Sequence, residues 1–162
     1  GPSIRYYRNG QVFEHSNFEQ GKKHGLSRKY HKDGSLLSEC EFENGHAMPG
    51  LKEYKTDGTL ITSYPDVQFR EIVYLADRNR VDLELSCKST VNGVKYYLLA
   101  KSNEEISRTY LISENNASAL QYYVKPGETL NEQITILAEI PTELGNIYAR
   151  ELQYKLLVSN TE

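Results

Sequence analysis

Histidine is the residue type in this chain best suited to metal binding or acid–base chemistry, and all four copies lie in the first third: His15, His24, His31 and His46. Two of them, His24 and His46, stand in similar short segments, so a regular fold would bring their imidazoles close together. Such a pair could form a weak metal site or a pH-sensitive site. No cysteine or carboxylate stands at ligand spacing beside them. The pattern therefore favours solvent-exposed loop histidines, and we expect neither a metal nor a cofactor.

Patterns typical of an enzyme do not occur in the sequence. The signatures of serine hydrolases, phosphate-binding loops and zinc peptidases are absent. A pairing of Cys87 with a base has no local support, because the last two thirds of the chain contain no histidine. Closely spaced carboxylates, Asp82 with Glu84 and Glu104 with Glu105, could form an acid–base pair. This spacing is more typical of a solvated strand face, so we predict a protein without catalytic activity.

The two cysteines, Cys40 and Cys87, lie far apart in the sequence. The favoured interpretation is that each is a free thiol buried as a small hydrophobic residue. A disulfide between them stays open, because two cysteines alone do not establish a pairing.

Tyrosine is unusually frequent, with 13 copies and no tryptophan. Tyr6, Tyr30 and Tyr54 recur at a constant interval, which is the mark of an internal repeat. On a stacked sheet these rings would form a row. The row could bind a peptide, a glycan or a lipid surface, or it could pack one repeat against the next. Packing is the favoured interpretation, and the three tyrosines are our candidate binding surface.

The elements that position these tyrosines are predicted to be β-hairpins. Each tyrosine is followed by an Asn-Gly or Asp-Gly step, which predicts a two-residue type I′ turn with positive φ at both central positions. Alternating strands follow the turns, and their predicted buried faces carry Val12, Glu14, Ser16 and Phe18 in the first repeat and Leu36, Ser38, Cys40 and Phe42 in the second. The turn glycines are Gly10, Gly34, Gly58, Gly21 and Gly45.

This pattern resembles the MORN-repeat variant of bacterial proteins of the YwqK type. The resemblance covers residues 4–64, with its clearest copy in Tyr30, Asp33, Gly34, Leu36, Phe42, Gly45 and Gly50. It implies an elongated antiparallel sheet that serves in binding or scaffolding. Some bacterial members carry an antitoxin label.

The repeat pattern stops near Pro65, since no further Asn/Asp-Gly step follows at the expected place. Pro65 marks a boundary because proline cannot donate to a sheet ladder. We therefore predict two domains, residues 1–65 and 66–162. The second domain shows seven β-like segments separated by turn signals. They are 67–76, 81–88, 94–101, 106–112, 119–124, 129–140 and 147–158, of which the fourth could instead form a helical turn. The spacing suggests an immunoglobulin-like or fibronectin-like β-sandwich, although no tryptophan and no immunoglobulin-type cysteine pair is present.

The composition of the chain limits the classes of binding partner that we expect. The net charge is −3 and basic residues do not cluster, so nucleic acid is not an expected partner. No apolar run is long enough for a transmembrane helix. Gly1-Pro2-Ser3 resembles a tag remnant or a trimmed start, so we expect the natural protein to extend further at its N-terminus. Contact with a membrane would then come through an anchor that precedes residue 1.

Together these features predict an all-β fold, with an N-terminal MORN-like hairpin sheet and a C-terminal β-sandwich. The expected function is non-catalytic binding or scaffolding of another protein. By analogy with other sandwich domains, we expect a bacterial cell-envelope protein, periplasmic or at the cell surface. A cytoplasmic antitoxin-like inhibitor is one alternative, and membrane-surface or glycan binding is another. The sequence leaves the oligomeric state and the partner open.

Overall fold

A computed structural model describes residues 1–161 and shows a nearly all-β fold built from antiparallel sheets. The predicted fold class is confirmed at this level. The chain forms two compact units, the first of which comprises Gly1–Tyr64 together with Leu144–Ala149. The second comprises Pro65–Glu143 and the residues from Arg150 onward. No helix in the described part of the chain is long and apolar enough to cross a membrane.

The first unit is a seven-stranded sheet that follows the repeat. Its strands are β1 (Pro2–Tyr6), β2 (Val12–Glu19), β3 (Lys22–Lys23), β4 (Gly25–Tyr30), β5 (Leu36–Glu43), β6 (His46–Ala47) and β7 (Lys52–Glu53). The strand order is β1-β2-β4-β5-β6, with β3 beside β2 and β7 beside β5. An isolated bridge between Tyr54 and Leu60 begins a third hairpin.

The turns that follow the repeated tyrosines differ from the predicted type. Gly10, Gly34 and Gly58 have φ of 85°, 87° and 86°, but the residue before each glycine does not have positive φ. In the first hairpin the Gly10 amide donates to the Tyr7 carbonyl at 3.0 Å. The Asn9 side chain accepts from the Gln11 amide at 3.0 Å, which holds Asn9 in an ordinary turn conformation. The loop is therefore three residues long and ends in a left-handed glycine, so the two-residue prediction is wrong here.

Type I′ turns occur instead at the second glycine of each repeat. Gln20 and Gly21 have φ of 49° and 78°, and Asn44 and Gly45 have φ of 51° and 86°. Each pair joins directly paired strand ends as a two-residue loop. Positive φ at both central positions is what this turn requires.

A β-bulge in each of the first two tyrosine hairpins, β1–β2 and β4–β5, changes which apolar residue is buried. The pairing of β4 with β5 shifts between Lys29 and Tyr30, and the same shift occurs between β1 and β2. The extra residue reverses the alternation at the start of the strand. As a result Leu37 is buried, whereas Leu36, which simple alternation places on the buried face, is only half-buried.

The second unit contains all seven predicted strands. They are β8 (Val67–Tyr74), β9 (Arg80–Cys87), β10 (Lys95–Ser102), β11 (Glu105–Leu111), β12 (Ala117–Tyr123), β13 (Thr129–Pro141) and β14 (Ile147–Ser159), the last of which begins in the first unit. One sheet has the order β11-β10-β13-β14 and the other β12-β9-β8. The predicted first segment runs too far, because Leu75–Arg78 forms the short helix α1.

Alternating residues of the two sheets form the core of this unit. Val81, Leu83 and Leu85 of β9 are fully buried, and so are Ile136 and Ile140 of β13. Tyr96 of β10 is also fully buried. Burial raises the pKa of the Tyr96 hydroxyl, and the nearby Cys87 thiol of β9 raises it further. The core therefore joins residues from both sheets.

Candidate binding surface

The repeated tyrosines lie on one face of the first unit, each opposite an aliphatic residue of the neighbouring strand. Tyr6 pairs with Val12 and Tyr30 with Leu36, and the bridge adds Tyr54 with Leu60. Directly opposed residues share a face of the sheet. We call these three pairs the tyrosine strip.

Much of the tyrosine strip is accessible. Tyr6 is 61% exposed and Leu60 46%, while Tyr30 and Tyr54 are half-buried. A shallow pocket of about 280 Å³ opens beside the first two pairs, and its lining includes Ile4, Val12, His15 and Tyr30. The strip thus presents apolar and aromatic groups with a concavity between two hairpins.

Two hydrogen bonds between successive hairpins use the residue that follows a strip tyrosine. The Tyr7 hydroxyl donates to the Tyr30 carbonyl at 2.8 Å. One repeat later, His31 Nε2 lies 2.8 Å from the Tyr54 carbonyl and donates to it. These links use the backbone of the strip tyrosines and leave their rings out. The packing role that sequence analysis favoured for the rings stays a prediction, and the hydrogen-bonded links described here come from Tyr7 and His31.

The opposite face carries a row of polar residues that crosses five strands. Strand pairing places Arg5 opposite Glu14, Glu14 opposite Lys29, Lys29 opposite Ser38, and Ser38 opposite Glu53. We call this set the polar row. Glu14, Ser38 and Glu53 are each at most 2% exposed. Sequence analysis did not identify it, although Arg5, Lys29 and Glu53 share one phase of the repeat and Glu14 and Ser38 share another.

Glu14 is the most strongly bound member of the polar row. Its carboxylate forms ion pairs with Arg5 and Lys23, and the Ser27 hydroxyl donates to it at 3.3 Å. Burial opposes its ionisation, but the bonds from Lys23 and Arg5 outweigh this, so the pKa of Glu14 lies below its ordinary value. Glu14 is therefore a structural anion at neutral pH.

The segment Leu144–Ala149 completes this side of the first unit. Asn146 donates to the Glu53 carboxylate at 2.7 Å, and Lys29 Nζ donates to the Gly145 carbonyl at 3.0 Å. Burial lowers the pKa of Lys29, partly offset by the charge of Glu14. These contacts satisfy charged groups that would otherwise be buried without partners.

The potential metal ligands of the chain do not gather in one place in the part that the structure describes. No cluster of three or more potential metal ligands exists within residues 1–161. His24 lies 3.5 Å from Glu19, a single carboxylate. Cys40 and Cys87 are both free and buried, as the favoured interpretation predicted, and burial raises the pKa of both thiols.

Asp82 and Glu84, one of the two carboxylate pairs considered above, each have an arginine partner. Asp82 pairs with Arg80 at 2.9 Å, and Glu84 pairs with Arg70 at 2.6 Å. Arg70 and Glu84 are directly opposed on β8 and β9, whereas Arg80 and Asp82 stand two residues apart on β9. Ion pairs of both kinds are usual on a strand face.

Comparison with known proteins adds no relative: no protein-family model, no curated protein and no solved structure matches this chain.

Proposed function

We propose that this chain is a non-catalytic module that binds another protein through the tyrosine strip. The observation that carries the proposal is the strip itself, three tyrosine–aliphatic pairs at equivalent positions of successive hairpins. Tyrosine supplies large contact area with one polar group and is enriched at protein interfaces. The matching partner is a protein that inserts an apolar side chain into the pocket between the first two hairpins.

In the first unit, residues outside the tyrosine strip donate hydrogen bonds between the hairpins, which supports this role. Tyr7 and His31 link the hairpins, and the polar row lies on the other face, so the strip rings are not needed for those contacts. Tyr6 is exposed and Tyr30 and Tyr54 are half-buried. Accessible aromatic groups that repeat in phase on one face favour recognition over chance exposure.

A non-catalytic role is supported by the state of the acidic and thiol groups. Glu14 is held as an anion by two cations, and an acid–base catalyst needs a pKa near the working pH. Raised pKa values make the Cys40 and Cys87 thiols poor nucleophiles.

We further propose that the first unit is a MORN-like repeat and the second an immunoglobulin-like or fibronectin-like domain. The strand orders β11-β10-β13-β14 and β12-β9-β8, four strands and three, support the second assignment. By fold analogy alone, the protein acts in the bacterial cell envelope.

The test is affinity capture from separate envelope and cytoplasmic fractions of the native host. The bait is wild type, Tyr6→Ser, or a triple variant with Tyr6, Tyr30 and Tyr54 changed to serine. We expect a partner that wild type captures and the folded strip variants lose. Tyr7→Phe is the matched control, because it removes a linking hydroxyl next to the strip and leaves the strip rings in place.

The outcomes separate the alternatives. Capture that survives in a folded Tyr6→Ser protein contradicts the strip as the binding surface. A partner found only in the cytoplasmic fraction favours an inhibitor of the antitoxin type over an envelope protein. Binding to anionic vesicles or to glycans, with no protein captured, contradicts the proposal of a protein partner.

A further inference from the structure

β11 is an edge strand that lacks the usual protection against pairing. Among the strands that the structure describes, it pairs only with β10, in a regular register without a bulge. It contains no proline and no lysine, the residues that commonly block an edge. Ile106 is 58% exposed, Tyr110 51%, and Ile112, directly after the strand, 87%. An edge without a bulge that carries exposed apolar side chains is a site for adding another strand.

The hairpin geometry identifies which backbone groups face outward. Asn103 and Glu104 both have positive φ, 45° and 71°, and join the directly paired Ser102 and Glu105. In such a two-residue turn the closing pair exchanges both hydrogen bonds, and hydrogen-bonded pairs then alternate along the strand. The even-numbered residues of β11, Ile106, Arg108 and Tyr110, therefore direct their amide and carbonyl groups away from β10.

We propose that this edge pairs with β11 of a second copy of the chain, antiparallel, with the two-fold axis at Thr109. This register places Arg108 opposite Tyr110 of the second copy and Ile106 opposite Ile112 of the second copy. By symmetry each pair occurs twice. The guanidinium meets an aromatic face, a favourable cation–π arrangement, and the isoleucines cover one another.

Neighbouring registers fit less well. Residues whose backbone groups point away from β10 must pair with residues of the same kind in the second copy. The alternative registers toward the hairpin turn therefore have their two-fold axis at Ser107 or at Arg108. The Arg108 centre places two guanidinium groups directly opposite each other, which is unfavourable. The Ser107 centre leaves Ile112 without a partner and sets Ile106 against Arg108. The Thr109 centre gives a partner to each exposed apolar residue of the edge, Ile106, Tyr110 and Ile112.

The central pairs carry the backbone bonds. The Ile112 carbonyl already accepts from the Ser118 hydroxyl at 2.8 Å, so the outer pairs contribute mainly side-chain contact. A single strand edge buries less than the roughly 1,200–2,000 Å² of a standard interface. The dimer is therefore expected to dissociate on dilution.

A cysteine placed at the proposed axis tests the register directly. In Thr109→Cys the two thiols face each other in a non-hydrogen-bonded pair, with Cα atoms about 4.5 Å apart, within disulfide range. Ser107→Cys is the matched control on the same exposed face of the strand, because its copy is displaced by about 13 Å along the strand. Cys40 and Cys87 are buried and do not compete.

The readout is non-reducing electrophoresis during oxidation with diamide. We expect the Thr109→Cys variant to form a linked dimer at least about tenfold faster than the Ser107→Cys variant. Equal rates, or faster linking of the Ser107→Cys variant, overturn the register.

A charge exchange tests the Arg108–Tyr110 pair without a covalent bond. Sedimentation over a concentration series is expected to show weaker dimerisation, about tenfold or more, for Arg108→Glu and for Tyr110→Lys. The double variant restores dimerisation, because the introduced carboxylate of one copy then faces the introduced ammonium group of the other. Leu157→Lys, at another exposed apolar position of the second unit, is the control and leaves the dimer intact. A wild-type protein that stays monomeric up to its solubility limit, or a dimer that Leu157→Lys abolishes, contradicts the proposal.

Discussion

At the scale of single residues, the polar row keeps positive and negative side chains in balance although the residue types change from one repeat to the next. Arg5 and Lys29 occupy one phase of the polar row, and Glu53 occupies the same phase in the third repeat. Glu14 occupies the other phase, where Ser38 stands one repeat later. Where the base is replaced by an acid, the neighbouring acid is replaced by a neutral hydroxyl. Buried carboxylates are thus kept apart, because two of them side by side would raise one another's pKa.

The first prediction concerns Glu14. We expect Glu14→Gln to lower the free energy of unfolding by about 1–3 kcal/mol at pH 6, because Lys23 loses the acceptor of its charged hydrogen bond. The folded-state pKa of Glu14 is below its ordinary 4.5. Its stabilisation is therefore complete above about pH 4.5 and is lost as pH falls through the folded-state pKa, because the unfolded chain takes up the proton first.

The measurement is urea unfolding of both proteins between pH 3 and pH 6. The difference between wild type and Glu14→Gln should be largest at pH 6 and should shrink below pH 4.5. Glu43→Gln, an exposed carboxylate at the end of β5, serves as the control and should change little. A difference for Glu14→Gln that is constant with pH would contradict a role for its charge.

At the scale of elements, strand positions could be predicted but turn geometry could not. Seven alternating segments predict β8 to β14 because period-two alternation depends only on local sequence. An Asp-Gly step requires positive φ at the glycine in both two-residue and three-residue loops, so it does not distinguish them. The bulge at Tyr30 depends on that loop, and a one-residue shift then moves Leu37 to the buried side.

The second prediction uses the two type I′ turns as a reciprocal pair. Gln20 and Asn44 occupy the same repeat position, both with positive φ. Asparagine tolerates this conformation better than glutamine because its short side chain bonds to the local backbone. Gln20→Asn is expected to stabilise the protein by about 0.5–1 kcal/mol, and Asn44→Gln to destabilise it by a similar amount. Chemical unfolding of both variants checks the signs, and two changes of the same sign would contradict the turn assignment.

At the scale of the whole molecule, the composition of the first unit depends on residues distant in sequence. Segment 144–149 supplies Asn146 and Gly145 to the polar row and Tyr148, which stacks on Tyr64 at 4.2 Å. No local pattern around residue 146 indicates this position, because long-range pairing leaves no periodic signal. The candidate tyrosines could be found from the sequence since they repeat. The sequence does not show, however, that Tyr7 and His31 form the hydrogen bonds between hairpins, because those contacts depend on the three-dimensional structure.

The third prediction tests the two-unit division with one buried asparagine from each unit. Asn146 bonds to Glu53 in the first unit, whereas Asn116 accepts from the Gly93 and Val94 amides in the second. Replacing either by alanine leaves buried polar groups unpaired, at a cost of about 1–3 kcal/mol. Hydrogen exchange should show Asn146→Ala weakening protection in β5 and β7 and sparing β9, and Asn116→Ala doing the reverse. Equal loss across both units from either variant would mean that the chain unfolds as one cooperative unit, since local opening follows the contacts that are removed.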